Sequence, residues 1–280
     1  MVTSIDDAHQ STRGGNILVD SNVSQHYRSN ELPFLESIDS LSAKVANEYR
    51  PILTNFLNPR QLYILETIVN RYEGVSFQTF GGFASAEMKR AVAFPDYFTP
   101  GTDDYNITTF QIDYPSKFAT LSHGQILGSI MGSGIDRDVI GDIVTDGFNW
   151  QFMCESEMAD YVQDQVDRIG KIKVKLKRIG PEQIIIPVDE GEELTTTVAS
   201  LRVDALVSEG FHISRHHAKE LVEGGMIKVN WEDANRPDLE TSIQDIISVR
   251  GFGRISITDI AGTTKKGKIR IGIKVYNRNK

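Results

Sequence analysis

The residues with the most legible chemistry in this chain are basic. Arg215 and Lys219 stand four positions apart, so on a helix they share a face. That face is not the one carrying Ala218, Leu221 and Val222, which form an apolar stripe. Ser214 just ahead is a suitable N-cap, and Gly224 and Gly225 stop the segment. Two cations beside the unsatisfied amides of a helix start suit a phosphate group.

A second basic group lies in Gly262–Lys268, which nearly spells the phosphate-cradling G-x-x-x-x-G-K-[ST] loop. Position 269 is Ile, so the magnesium-binding hydroxyl is missing. The following I-R-I-G-I-K-V-Y alternates like a strand and offers no helix start. The stretch therefore predicts a hairpin, 255–260 with 269–276, in which Ile269, Ile271, Ile273 and Val275 face inward while Arg270 and Lys274 face out. Its tip presents Lys265, Lys266 and Lys268 for phosphate contacts.

Other reactive residue types lead nowhere comparable. One cysteine, Cys154, excludes an internal disulfide and any cysteine-based metal cluster. The six histidines, His9, His26, His123, His212, His216 and His217, show no metal-ligand spacing. His123 follows Ser122 at a helix start and reads as structural. No glycine-rich turn follows a strand where a nucleotide cofactor needs one, and Gly128, Gly132 and Gly134 read as helix-end residues. The residues give no positive sign of catalysis, cofactor, metal or small-molecule substrate. An RNA-modifying enzyme with an unrecognised site in 31–180, or an adaptor for a protein partner, stays open at this level.

The whole chain is acidic, with a net charge of −8, yet the charge is divided. Residues 201–280 hold 14 Lys and Arg against 10 Asp and Glu, whereas residues 1–200 hold 16 against 28. A local basic surface can steer RNA although the molecule is acidic. No apolar run approaches the roughly 18 residues of a membrane span, so membrane insertion is not expected.

The elements that position these residues follow in chain order. Residues 1–29 are polar and read as a tail without the apolar core of a secretory signal. Residues 31–72 are mostly helical in pattern: Leu35, Ile38, Leu41 and Val45 form one stripe, a segment from Pro51 breaks at Asn58-Pro59, and Leu62, Leu65, Ile68 and Val69 form another stripe. Strands are expected at 75–80 and 91–94. From 107 to 179 the order is strand 107–114, helix 122–131, strands 142–145 and 150–154, helix 156–169 and strand 171–179. That βαββαβ order predicts a ferredoxin-like or RRM-like unit. Its aromatics Trp150 and Phe152 read as core rather than as a stacking platform. Lys171, Lys173, Lys175 and Lys177, with Arg168 and Arg178, form an acid-free comb that could extend an RNA footprint or simply be solvated. Gln183–Val188 reads as a last strand, and the acidic run after it as a linker.

Several motifs carry a resemblance. L-R-V-D-A-L, I-S-R-H-H-A-K-E-L-V, G-G-M-I-K-V-N and D-I-I-S-V-R-G, in this order over residues 201–251, resemble the S4 RNA-binding domain. F-L-N-P-R-Q, K-R-A-V-A-F-P-D-Y and above all H-G-Q-I-L-G-S-I-M-G-S-G-I-D-R-D-V-I-G-D-I resemble the YlmH-like S4-domain proteins, a group with cyanobacterial and plastid members named for photosystem II. The resemblance implies a non-enzymatic binder of structured RNA: rRNA and tRNA, on the large ribosomal subunit. It also implies a monomer in the bacterial cytoplasm, or in the plastid stroma for a plastid-type member. Relatives of this group are tied to rescue of stalled nascent chains, to cell division or to photosystem biogenesis. It places Arg202, Ser214, Arg215, Lys219, Lys228, Asn230 and Arg250 on or beside the RNA surface, to which Arg254 and Arg270 are added with the hairpin tip. The expected architecture is α+β in three parts: a helical N-terminal region over 30–104, the RRM-like unit over 105–188, a linker at 189–197 and an S4 domain with its hairpin over 198–280.

Overall fold

The computed structural model describes residues 27–277. The first 26 residues of the expected tail lie outside them. Residues 27–29 are part of the fold: Tyr27 packs on the N-terminal core and Arg28 reaches the C-terminal unit.

The N-terminal unit is built from α1 (Leu32–Glu48), β1 (Ile52–Leu57), α2 (Pro59–Val69), β2 (Val75–Phe80) and β3 (Lys89–Pro95). Its sheet is antiparallel in the order β1-β3-β2. Leu35, Ile38 and Val45 of α1 and Leu65, Ile68 and Val69 of α2 bury against Ala91 and Ala93. Asn58 caps α2 by accepting from the Gln61 amide, with Pro59 at the first position. The segment after Pro51 is a strand rather than the expected helical piece. Six residues between two breaks are too short for a stable helix, and pairing with β3 lets the segment bury Phe56 and Leu57.

The middle unit contains β4 (Ile107–Asp113), α3 (His123–Gly132), β5 (Ile140–Thr145), β6 (Trp150–Glu155), α4 (Ala159–Gln165), the two-residue strands β7 (Arg168–Ile169) and β8 (Ile172–Lys173), and β9 (Lys175–Ile179). The sheet order β5-β6-β4-β9, all antiparallel, is that of a ferredoxin-like fold. Phe110 and Phe152 stack at 5.4 Å under the two helices, and Trp150 packs against the same core. The expected helix 156–169 is shorter, because the chain turns at Gly170 (φ 58) to bury Ile169 in the β7–β8 hairpin. The expected strand 171–179 is consequently split. Residues 183–188 form no strand; Ile184 and Ile185 pack inward instead.

The C-terminal unit comprises β10 (Glu192–Val198), α5 (Val203–Gly210), α6 (Arg215–Glu223), β11 (Ile227–Val229), β12 (Glu232–Asp233), β13 (Ile246–Val249), β14 (Gly253–Thr263) and β15 (Ile269–Asn277). Both helices cover a sheet ordered β10-β15-β14-β13-β11-β12. Most of the expected linker 189–197 is therefore strand. Acidic side chains are tolerated on an exposed edge, while Leu194 and Val198 turn toward the core and every residue of β10 pairs with β15.

The three units share a junction. Phe56, Phe83, Met88, Val144 and Met153 bury together, with Ile184, Ile185 and Trp231 packed against them. Gly141 lets β5 approach closely here, since a Cβ on it falls 2.7 Å from Phe56 Cε1.

Candidate nucleic-acid interface

The C-terminal unit arranges its cations in three places. The first is the start of α6. Ser214 caps the helix by accepting from the His217 amide at 3.1 Å. Arg215 turns back to α5, where one Nη donates to both oxygens of Asp204 at 2.9 and 3.0 Å. Arg202 approaches the same carboxylate through Nε and Nη, both at 3.1 Å. Asp204 is only 4% exposed and gathers two guanidinium groups into one net-positive spot. Nothing in the local sequence beyond an acid inside the apolar run V-D-A-L pointed to this residue.

The second place is the turn between β13 and β14. Arg250 is exposed there, with Gly251 at φ 89. The neighbouring Phe252 meets His217 edge-on at 5.9 Å, which binds this turn to the first half of α6. The third place is the hairpin tip, closed by Thr264 N–H to Lys268 O at 2.7 Å with Gly267 at φ 76. Lys265, Lys266, Lys268 and Arg270 are exposed and have no carboxylate partner among the described residues. β14 runs from the Arg250 turn to this tip, so at ~3.3 Å per residue the two ends stand roughly 30 Å apart. Arg202 follows Val198, which pairs with Ile269 at the base of the tip.

Other expected contact residues have partners inside the protein. Lys219 pairs with Glu223 at 3.5 Å and Lys228 with Asp233 at 2.8 Å, both on the surface. Asn230, at φ 49, donates to Asp245 at 2.8 Å and accepts from the Ile246 amide at 2.9 Å, so its side chain fixes the strand connection. Asp245 is fully buried and also receives Arg28 at 2.6 Å, tying the N-terminal unit to this one. Arg254 donates to Glu87 of the N-terminal unit at 2.9 Å and lies 4.8 Å over the Tyr276 ring. Burial raises the pKa of Glu87, with Arg254 opposing the shift. Burial likewise raises Asp142 nearby, offset by its bonds from the Glu87 and Met88 amides. These groups serve the junction between units.

The lysine comb of the middle unit is divided by the split strand. Lys171 and Lys173 sit on the β7–β8 hairpin, which is pinned to α3 by Gly170 N–H to Ser129 Oγ at 3.0 Å. Lys175 and Lys177 project from β9 on the sheet face away from the helices, and Lys177 pairs with Asp113 at 2.8 Å. His123 is the first residue of α3, behind the Ser122 cap. Among the described residues no group of His, Cys, Asp and Glu is placed to hold a metal ion, and no helix is long and apolar enough to cross a membrane.

Two helices over an antiparallel sheet, cations at the second helix start and a long basic hairpin define an S4-type RNA-binding unit behind a ferredoxin-like one. Comparison with known families agrees: the S4 domain model matches residues 201–247, and the model described as "Putative RNA-binding domain in YlmH" matches residues 100–183. The chain is 37% identical over 252 residues to ribosome-associated protein quality control protein P2 of Bacillus subtilis (strain 168), covering 90% of this chain and 97% of that one. It is also similar to the solved structure of the cell division protein ylmH from Streptococcus pneumoniae, with 35% identity and a TM-score of 0.50 over 57% of this chain and 98% of that one. The chain belongs to the YlmH family of S4-domain proteins.

Proposed function

We propose that this protein binds structured RNA of the large ribosomal subunit, rRNA together with tRNA held there, and acts in ribosome-associated protein quality control. It works as a binder, not a catalyst, and as a monomer in the cytoplasm. The observation that carries this reading is the set of exposed cations Lys265, Lys266, Lys268, Arg270 and Arg250, without an ion-pair partner among the described residues, on a unit matched by the S4 model. Arg202 and Arg215, drawn together by Asp204, add a third contact beside the start of α6. Contacts spread over roughly 30 Å select a folded RNA that presents phosphates at matching separations. The N-terminal and middle units, taken as 30–104 and 105–188, set the position of the S4 unit at 198–280. The similarity to the ribosome-associated protein quality control protein P2 of Bacillus subtilis supports the process.

The test is co-sedimentation with purified ribosomal subunits across a salt series, for the wild type and for Arg215→Glu with Lys219→Glu. Replacing Arg215 by Glu puts a carboxylate against Asp204 and reverses the charge at the start of α6. Binding to the large subunit that weakens with salt and is lost in the variant is expected. Wild-type binding by the variant, or no binding to either subunit at low salt, overturns the proposal.

A further inference from the structure

The middle unit carries an open, mostly polar cavity of about 600 Å³ on the sheet face opposite its helices. RNA-reading RRM sheets place aromatics on that open face. Here the central-strand positions on the face opposite the helices hold Gln111, Gln151 and Met153, the last buried in the junction between units, while Phe110 and Phe152 face the helices. Two aromatics line the cavity: Tyr114, and Phe148 of the β5–β6 turn, which is 78% exposed.

This turn is rigidly built. Asp146 accepts from the Phe148 and Asn149 amides at 2.9 and 2.7 Å and from the Asn149 side chain at 2.9 Å. Thr145 Oγ1 donates to Asn149 O and accepts from the Gly147 amide, with Gly147 at φ 94. Tyr114 donates to Phe148 O at 3.0 Å. The ring is thus held in water by a fixed backbone, so the entropy of presenting it is spent on folding and not on binding.

The cavity floor is equally fixed. Gln151, 3% exposed, donates to Gln111 Oε1 and Gln183 O and accepts from the Ile185 amide. Gln111 is held through its oxygen, and its side-chain NH₂ has no partner among the described residues. Lys177 lines the same cavity beside Gln111 in the register; its ion-pair partner Asp113 lines it too, and both side chains are more than half exposed, so a phosphate reaches Lys177 in competition with that carboxylate. A fixed exposed ring, a free amide donor and a cation match the face, an edge acceptor and the phosphate of one nucleotide.

We propose that this cavity takes a single unpaired nucleotide of RNA, with Phe148 stacking on the base, Gln111 donating to its edge and Lys177 near the phosphate. The proposal rests on the reading that the chain binds RNA, and it adds a single-strand contact to the S4 contacts with folded RNA. It also gives Lys177 a role distinct from that of Lys171 and Lys173 on the helix side.

The full chain is titrated with two fluorescent RNAs: a blunt hairpin, and the same hairpin with a six-adenosine single-stranded tail. The tailed RNA is expected to bind the wild type about tenfold more tightly, the order of one stacked base. Phe148→Ala should remove that preference and leave the blunt hairpin unchanged, while Phe148→Trp should keep it. Phe148 is exposed and contributes only its backbone to the turn, so the variant is expected to fold; an unchanged circular dichroism spectrum checks this. Equal binding of the two RNAs by the wild type, or an undiminished tail preference in Phe148→Ala, overturns the nucleotide site while leaving S4 binding intact. Failure of the wild type to bind either RNA overturns this site and the RNA-binding reading together.

Discussion

Replacing Lys265, Lys266 and Lys268 together by Ala tests the RNA surface most directly, because the structure sets the size of the effect. All three are exposed at the hairpin tip and none has an ion-pair partner among the described residues, so their charges are fully available to phosphates. Each phosphate neutralised contributes roughly 0.7 (single strand) to 0.9 (duplex) to the slope of log affinity against log salt. Three contacts thus make about 2.1 to 2.7 units of slope. Over a fourfold rise in salt, from about 50 to 200 mM, the wild type should lose about 20- to 40-fold more affinity than the triple variant. Filter binding of a structured rRNA fragment at five or six KCl concentrations measures both slopes. Lys219→Ala with Lys228→Ala is the internal comparison: both lysines already share charge with Glu223 and Asp233, so a smaller slope change is expected. A slope unchanged in the triple variant refutes the reasoning, as does a larger change in the paired-lysine variant.

Two further perturbations probe the junction between units. Trp231 holds the S4 unit against Phe56 and Met153 and lies under Arg137, whose guanidinium is 5.4 Å from the ring. Trp231→Ala should cost about 2 kcal/mol, below the full cost of a wholly buried Trp, and should increase cleavage by a Glu-specific protease at Glu190 and Glu192; an unchanged denaturation midpoint and cleavage pattern would remove Trp231 as the fastener. Glu155 is buried, and its pKa rises from the ordinary 4.5 to about 7, through burial first, with Arg90 opposing and Glu157 adding to the rise. The native state keeps a proton there that the unfolded chain gives up near pH 4.5, so this group's stabilisation is fully present below that pH and is lost as pH rises to about 7. Glu155→Gln should flatten this part of the stability profile, read from urea midpoints at pH 5 and pH 8; an identical pH slope in the variant contradicts the assignment.

Much of the fold was legible in the sequence because local rules and tertiary packing agree. The stripes of α1 and α2, the Ser122 and Ser214 caps and the alternation of β15 each bury the residues their periodicity selects. The βαββαβ order likewise appears as a ferredoxin-like sheet. Departures came where a short segment has no strong local preference. Ile52–Leu57, Arg168–Lys173 and Glu192–Val198 become strands only because β3, the Gly170 turn and β15 supply the other half of each pairing.

The same division holds for the candidate interface. Residue types and spacing by themselves determined that basic residues cluster after position 201, that the tip of the last hairpin is basic and that no phosphate-cradling loop forms there. Only the tertiary structure decided which cations remain available. Arg254 is taken by Glu87 across 167 positions of sequence and Lys228 by Asp233, whereas Lys265, Lys266 and Lys268 have no ion-pair partner among the described residues. A side chain's charge is written in the sequence, but its availability depends on whether an opposite charge or a buried carbonyl lies within a few ångströms, and the partners that settle this come from distant parts of the chain.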